Sequence, residues 1–374
     1  MLNKGFVLVL LFALAPLFSS IAYSADISNP RSLIFIADSS DKVIDVISVN
    51  SNEVVHRIET SIQPDNILVT PFAPILIYTD TEAKKIVFYD LVDQREREIY
   101  DLSVTPRHLV LDTTGARAAI SDDVDGGFVL LDIYSYKIDF TVDDFPATAD
   151  VLFDPNDVDI YYSDSSNGTV GIFNTLTKET YEIDLVDAAG QELTAPSRSL
   201  DGRYIYVGNR TLGEVYSINA YSGVVFKTFD IGGSLARPYT TPEGVFLYMM
   251  DSENGRLVTV DQQNFAEYAD TSFGAGIDLV TVGRFDHLNL FMSSENTQWY
   301  IYDNIKKSVI EQGEFEGTPI GASGSADGKL AYVALADSAQ LAVINLERKS
   351  LDYIAATNNG SGSFALGLSN NVCH

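Results

Sequence analysis

Cysteine is nearly absent from this 374-residue chain: Cys373 stands alone, which excludes a disulfide framework within it. Histidine occurs four times, too few for a His-rich metal cage, and tryptophan once, at Trp299. Basic residues are scarce as well, 24 Lys and Arg against 52 Asp and Glu, for a net charge of −28. A phosphate backbone needs a basic face, so nucleic acid is excluded as a partner, whereas salt, cations or a cationic partner suit this balance. No C-x-x-C-H run is present, so no covalent c-type haem is expected. Neither a G-x-S-x-G elbow nor H-E-x-x-H occurs, and no Gly-rich phosphate loop opens a helix. What the chain has in quantity is apolar material, 46 % of its residues, enough for an extensive core.

The first 24 residues read as separate from the fold. Lys4 gives a positive start, Phe6 to Phe18 is an apolar run broken only by Pro16, and Ala22 and Ser24 are placed for cleavage before Ala25. That is the pattern of a secretory signal, and the run is short for a membrane-spanning helix. Removing residues 1–24 removes only Lys4, leaving a mature chain of charge −29. No later segment reaches about 18 uninterrupted apolar residues, so no membrane span is expected after removal of the signal. The expectation is a periplasmic or secreted protein in which residues 25–374 form one domain.

That domain is built from a repeat. IFIADSSDKVIDVI, LIYTDTEAKKIVFYD, AAISDDVDGGFVLLD, IYYSDSSNGTVGIFN, IYVGNRTLGEVYSIN, LYMMDSENGRLVTVD, LFMSSENTQWYIYD and AYVALADSAQLAVIN share one design. Each has a β-branched or aromatic strand, a polar turn and a second alternating strand. Anchoring on the residue that closes the first of these strands gives Asp38, Asp80, Asp122, Asp164, Asn209, Asp251, Ser294 and Leu335, spaced 42, 42, 42, 45, 42, 43 and 41. Blade five displays four strands: APSRSL, YIYVGN, EVYSIN and VVFKTFDI, separated by Gly- and Asp-bearing turns. A four-stranded sheet of this size cannot bury both faces alone, but stacking it radially on its copies does so. The expected fold is therefore an all-β, eight-bladed β-propeller, with seven blades plus an irregular unit as the alternative. The chain begins at SLIFIAD with no first strand before it and ends on a surplus strand, SFALGLSN. Phe364 to Ser369 is therefore expected to supply the innermost strand of the first blade and close the ring.

RYIYVGN and KLAYVAL, each followed by a polar turn and a V-x-V-I-D/N-like strand, resemble the YVTN-type repeat, as do SLDGR, TPEGV and SADGK before the repeats' second strands. The resemblance covers residues 33–374 in degenerate copies, and it implies a secreted or periplasmic propeller without implying a reaction. A single Trp excludes a WD40 array with one in every blade and disfavours quinoprotein propellers.

In a propeller the starts of the first strands ring one mouth of the central channel. Fourteen residues before each anchor stand Asn66, His108, Asp150, Ala195, Arg237, Val280 and Gly321, with Ala365 as the C-terminal equivalent; an inserted residue in blade seven would put Asp278 in place of Val280. Arg107 and Asp65 lie one position earlier. His108 can bind metal or shuttle protons, a carboxylate can fix its tautomer, and Arg237 can hold an anion; the alternative is that these charges only pin a water-filled channel. A second candidate set, Cys373, His374 and His287, is expected on the opposite face as a soft site for zinc or copper, against a frayed tail and a loop histidine. His56 reads as surface. The acidic turns DDVDGG (122–127) and DPNDVD (154–159) lack the EF-hand loop and are explained by turn chemistry.

Two classes of function follow. One is an exported binding or scaffold module for a protein partner, a small ligand or a metal ion. The other is a metal- or haem-dependent enzyme at the channel, which the YVTN resemblance admits as a lactonase-like hydrolase or a haem-bearing propeller of the nitrite-reductase kind, with His108 as axial ligand.

Overall fold

The computed structural model describes residues 26–148, 150–357 and 359–367. Residues 1–24, Cys373 and His374 lie outside them. Eight four-stranded antiparallel sheets follow one another, each a meander from an inner to an outer strand. The inner strands are Asn66–Val69, His108–Leu111, Leu152–Phe153, Ser197–Arg198, Tyr239–Thr240, Leu279–Val282 and Pro319–Gly324 for blades two to eight. In blade one the inner strand is Ser361–Leu366, paired antiparallel with Leu33–Asp38, so the two ends of the described chain share a sheet and close an eight-bladed β-propeller. The closing strand begins three residues earlier than the sequence reading placed it.

The period is written in turn chemistry. The carboxylate or amide of Asp38, Asp122, Asp164, Asn209 and Asp251 accepts hydrogen bonds from backbone N–H groups two and three residues on. This is the side-chain mimic of a turn that Asp and Asn form readily. In blade seven the equivalent acceptor is Ser293 Oγ, bonded by Glu295 N at 3.1 Å, so the anchor there is Ser293 and not Ser294. The turns from third to fourth strand repeat the device at Ser48, Asp90, Asn174, Asn219, Asp303 and other blade equivalents. Four residues after each of these positions the chain turns left-handed, at Asn52, Gln94, Tyr136, Lys178, Gly223, Phe265, Lys307 and Lys349.

Packing explains why the blades need one another. The buried apolar residues fall into eight clusters, and each straddles two neighbouring blades rather than filling one. Ile34, Ile36 and Ile47 of blade one pack with Tyr332 and Leu341 of blade eight, while Phe35 and Val46 pack with Leu76 and Tyr78 of blade two. Both faces of every sheet are thereby covered, at about 25 cal/mol for each Å² of apolar surface removed from water. Some contacts are close: a Cβ at Gly171 would lie 2.0 Å from the Tyr162 ring, so this strand glycine makes room for a buried aromatic.

Candidate functional site at the channel mouth

Register fixes the ring of residues at the mouth. Asn66 sits opposite Thr79, His108 opposite Ser121, Leu279 opposite Met292, Gly321 opposite Ala334 and Ser363 opposite Ala37. Two positions therefore differ from the sequence reading. Leu279, rather than Val280 or Asp278, holds the blade-seven place, because the anchor is Ser293. Ser363, rather than Ala365, holds it in blade one, because the regular register from Ile34 opposite Leu366 puts Ser363 opposite Ala37.

His108, Asp150 and Arg237 meet. His108 Nδ1 is 3.3 Å from Asp150 Oδ1, and Arg237 Nη1 is 3.3 Å from Asp150 Oδ2. Arg237 reaches Asp150 from blade six by passing over blade five, where the ring residue is the small Ala195, and its Nε donates to Pro196 O at 3.1 Å on the way. On the other side His108 Nε2 faces Asp123 Oδ2 at 3.3 Å, close enough for an ion pair but not aligned as a hydrogen bond. Arg107 continues the line, its Nε 3.0 Å from Asp122 Oδ1. One string of alternating charge thus runs along the rim from blade three to blade six.

Burial disfavours the His108 cation, but the two aspartates outweigh it and raise the imidazole pKa above its ordinary value. Burial likewise opposes ionised Asp150, yet its bond to His108 and the charge of Arg237 hold its pKa below the usual carboxylate range. Arg237 is pulled down by burial, partly offset by Asp150. The Asp150 side chain keeps 39 % of its accessible surface although protein surrounds it, as befits a group in a channel.

The other candidates are placed differently. Asn66 Nδ2 donates to Pro106 O at 2.9 Å, away from the charged string. Asp278 lines the channel, but its carboxylate accepts from Ser294 N at 2.7 Å, as Asp65 does from Thr81 N, so it caps a turn of its own blade. His287 is exposed, 3.4 Å from Asp303 Oδ1, on the face away from His108. Of its two intended co-ligands nothing is described. His56 is half-buried beside an open rim cleft of about 590 Å³. In the acidic turns, Asp154 caps its own loop and Asp157 clamps Thr113 of the neighbouring blade. Among the described residues no group of three or more His, Cys, Asp or Glu side chains is arranged to hold a metal ion.

Inside the mouth lies a chamber of about 400 Å³, bordered by the inner strands of blades three to seven. On that side the inner strands are short, two residues in blades four, five and six, against six in blades eight and one. Its wall is largely apolar, with Leu109, Leu152, Tyr239 and Leu279, and it is also bordered by Arg198 and Arg237 and by the carboxylate residues Asp150 and Asp278. Burial lowers the Arg198 pKa, with the charges of Asp154 and Asp157 opposing. Ser197 Oγ is buried at the wall with no hydrogen-bond partner. Arg198, Tyr239 and Ser197 escaped the sequence reading, because the innermost strand meets the channel along its edge and period-two alternation does not mark what lines it; Asp123 stands in the DDVDGG turn, which the sequence reading assigns to turn chemistry alone.

No family model matches the chain, and no characterised protein matches it in sequence. Solved structures do match in fold. The chain is similar to a structure described as dihydro-heme d1 dehydrogenase NirN in complex with DHE, with a TM-score of 0.76 and 13 % identity, over 92 % of this chain and 77 % of that one. It is also similar to hydrazine synthase of Kuenenia stuttgartiensis (TM-score 0.57, 14 % identity, 78 % of this chain and 95 % of that one). A third likeness is to the Myceliophteria thermophila Cps50 (Swd1) β-propeller domain (TM-score 0.58, 13 % identity, 79 % and 96 %). At such identities the likeness is one of fold, and the class it defines with the topology is the eight-bladed β-propeller.

Proposed function

We propose that this chain is an exported, non-enzymatic binding propeller of the YVTN kind that holds a small organic ligand, partly apolar and carrying a negative charge, in its channel chamber. The observation that carries this reading is the pairing of an apolar wall with two arginines, the buried Arg198 and the half-buried Arg237, in a chamber of about 400 Å³. Chambers of a few hundred Å³ with few, fixed polar groups suit small molecules. A buried Arg meets a carboxylate or sulfonate with little competing water. The rim string of charge holds Arg237 in place, and the acidic exterior works against anions that lack an apolar part to bury.

A haem or metal ion in the channel is the competing reading, and His108 at the mouth does not fit it. Both His108 nitrogens face carboxylates, and the ring does not border the chamber. A histidine with an aspartate facing each ring nitrogen is placed as a charge clamp rather than as an axial ligand.

Fluorescence titration with 1-anilinonaphthalene-8-sulfonate, an apolar anion, tests the proposal. The native protein is expected to bind one molecule with a blue-shifted emission. Leu279→Trp, which fills the chamber, is expected to abolish that binding with its melting temperature retained. Equal binding by the two proteins would place the probe elsewhere and refute the reading.

A further inference from the structure

The two faces of the disc differ in a way that the channel site does not explain. In each antiparallel meander the first-to-second and third-to-fourth turns emerge on the face away from the His108 mouth. Scattered exposed apolar residues are ordinary. Here they are segregated: nine exposed large apolar side chains stand on turns of the far face, against Val124, Val186 and Leu212 on turns of the mouth face. Charge is segregated too. Mouth-face turns carry acid after acid, as in Asp122, Asp123 and Asp125, Asp143 and Asp144, Asp187 and Glu192. In the far-face turns of blades seven, eight and one, Arg284, Lys306, Lys307, Arg348, Lys349 and Arg31 are exposed, against exposed Asp327, Glu347 and Asp26.

Apolar tips stand in and beside this cationic sector. Phe285 is 68 % exposed, Ile305 72 % and Phe72, in the adjoining turn of blade two, 55 %. Arg284 lies over the Phe285 ring at 4.7 Å and Arg31 over that of Phe72 at 5.5 Å. Phe285 is presented to solvent from a left-handed backbone (φ 55), and its buried neighbour Asp286 is left-handed too (φ 53), a conformation that costs a non-glycine residue energy. Neighbouring turns of this sector are tied in pairs, Arg284 N to Gly328 O and Arg31 Nε to Pro71 O.

We infer that this sector docks on an anionic lipid surface, with Phe285, Ile305 and Phe72 entering the headgroup region and the surrounding Lys and Arg meeting lipid phosphates. Apolar tips dispersed over several turns, each beside a cation, suit a fluid plane that closes around every tip; a protein partner would favour one contiguous patch. Cations near the bilayer gain from its negative surface potential, whereas a chain of net charge −28 is repelled in any other orientation. Docking this way turns the channel mouth toward solvent, so the inference stands apart from the ligand proposal.

The test is co-sedimentation of the processed protein, its N-terminus verified by mass, with vesicles of phosphatidylcholine alone or with about one third phosphatidylglycerol. Binding is expected to the anionic vesicles and to fall at least ~10-fold on the neutral ones. The double variant F285S/I305S is expected to lose ~10-fold or more, and so is K306E/R348E, both keeping the wild-type melting temperature. Absence of binding to anionic vesicles overturns the inference, as does binding equally well by both variants. So does loss of binding only on Leu176→Ser and Tyr221→Ser, which lie on the same face outside this sector.

Discussion

Lys349 illustrates how single residues bear the cost of the repeat. It closes its turn at φ 57, a left-handed position that blade five fills with Gly223. An L side chain there costs on the order of 1 kcal/mol, which glycine avoids, although glycine also loses more chain entropy on folding. Lys349→Gly is therefore expected to hold or slightly raise the melting temperature, by a degree or two; a fall of several degrees in calorimetry would show that the turn is not strained. Asp286 is a different case. It is 3 % exposed, neither oxygen has a well-formed hydrogen bond, and burial lifts its pKa to about 6. With the folded-state value above the unfolded one, the native state binds the extra proton, so stability falls as pH rises from about 4 through 6. A shift of about two pH units corresponds to roughly 3 kcal/mol. Asp286→Asn is expected to remove this fall and to be the more stable protein at pH 7, which denaturant titrations at pH 4.5 and 7 will show; identical pH dependence in the two proteins would refute it. For His108, also raised, the sign is the familiar cationic one: the rim string contributes below the ordinary histidine range and is lost as pH climbs through the folded value.

At the scale of the element, the inner strand of blade one matters most. Ser361–Leu366 gives Leu33–Asp38 its second neighbour, and Ser363 Oγ accepts from Ile67 N of blade two at 3.1 Å, so one strand ties three parts of the ring. Deleting residues 362–374 exposes two strand edges and opens the clusters shared with blades eight and two. The expected outcome is loss of the cooperative thermal transition or a drop of more than about 10 °C, well beyond a typical surface change. An unchanged transition would contradict closure. Strands and their order were legible in the sequence because Asp and Asn recur at turn starts and alternation is strong in the second and third strands. The exact inner strands were less legible. Two of them carry register shifts, and three are two residues long, too short for any pattern to mark their ends.

The ring as a whole made the site half-readable. A fixed offset from the anchors was enough to bring His108, Asp150 and Arg237 to one mouth, since equivalent positions on successive blades must converge on the axis. It was not enough to find Asp123, which enters from a neighbouring turn, or Arg198 and Tyr239, which border the chamber further along the channel. Nor did composition disclose that the acidity gathers on the mouth face. Only the closed structure sets the turns of different blades side by side. The claim that joins these features is that the chamber recognises negative charge on an apolar ligand. The most direct measurement is calorimetric titration of 1-naphthoate and the neutral 1-naphthamide into the native protein and into Arg237→Met. The account predicts that the native protein prefers the anion by ~10-fold or more, as expected for a charge-assisted contact away from water, and that the preference largely disappears in the variant. Equal affinity for the two compounds in the native protein, or a preference that survives Arg237→Met undiminished, would contradict it.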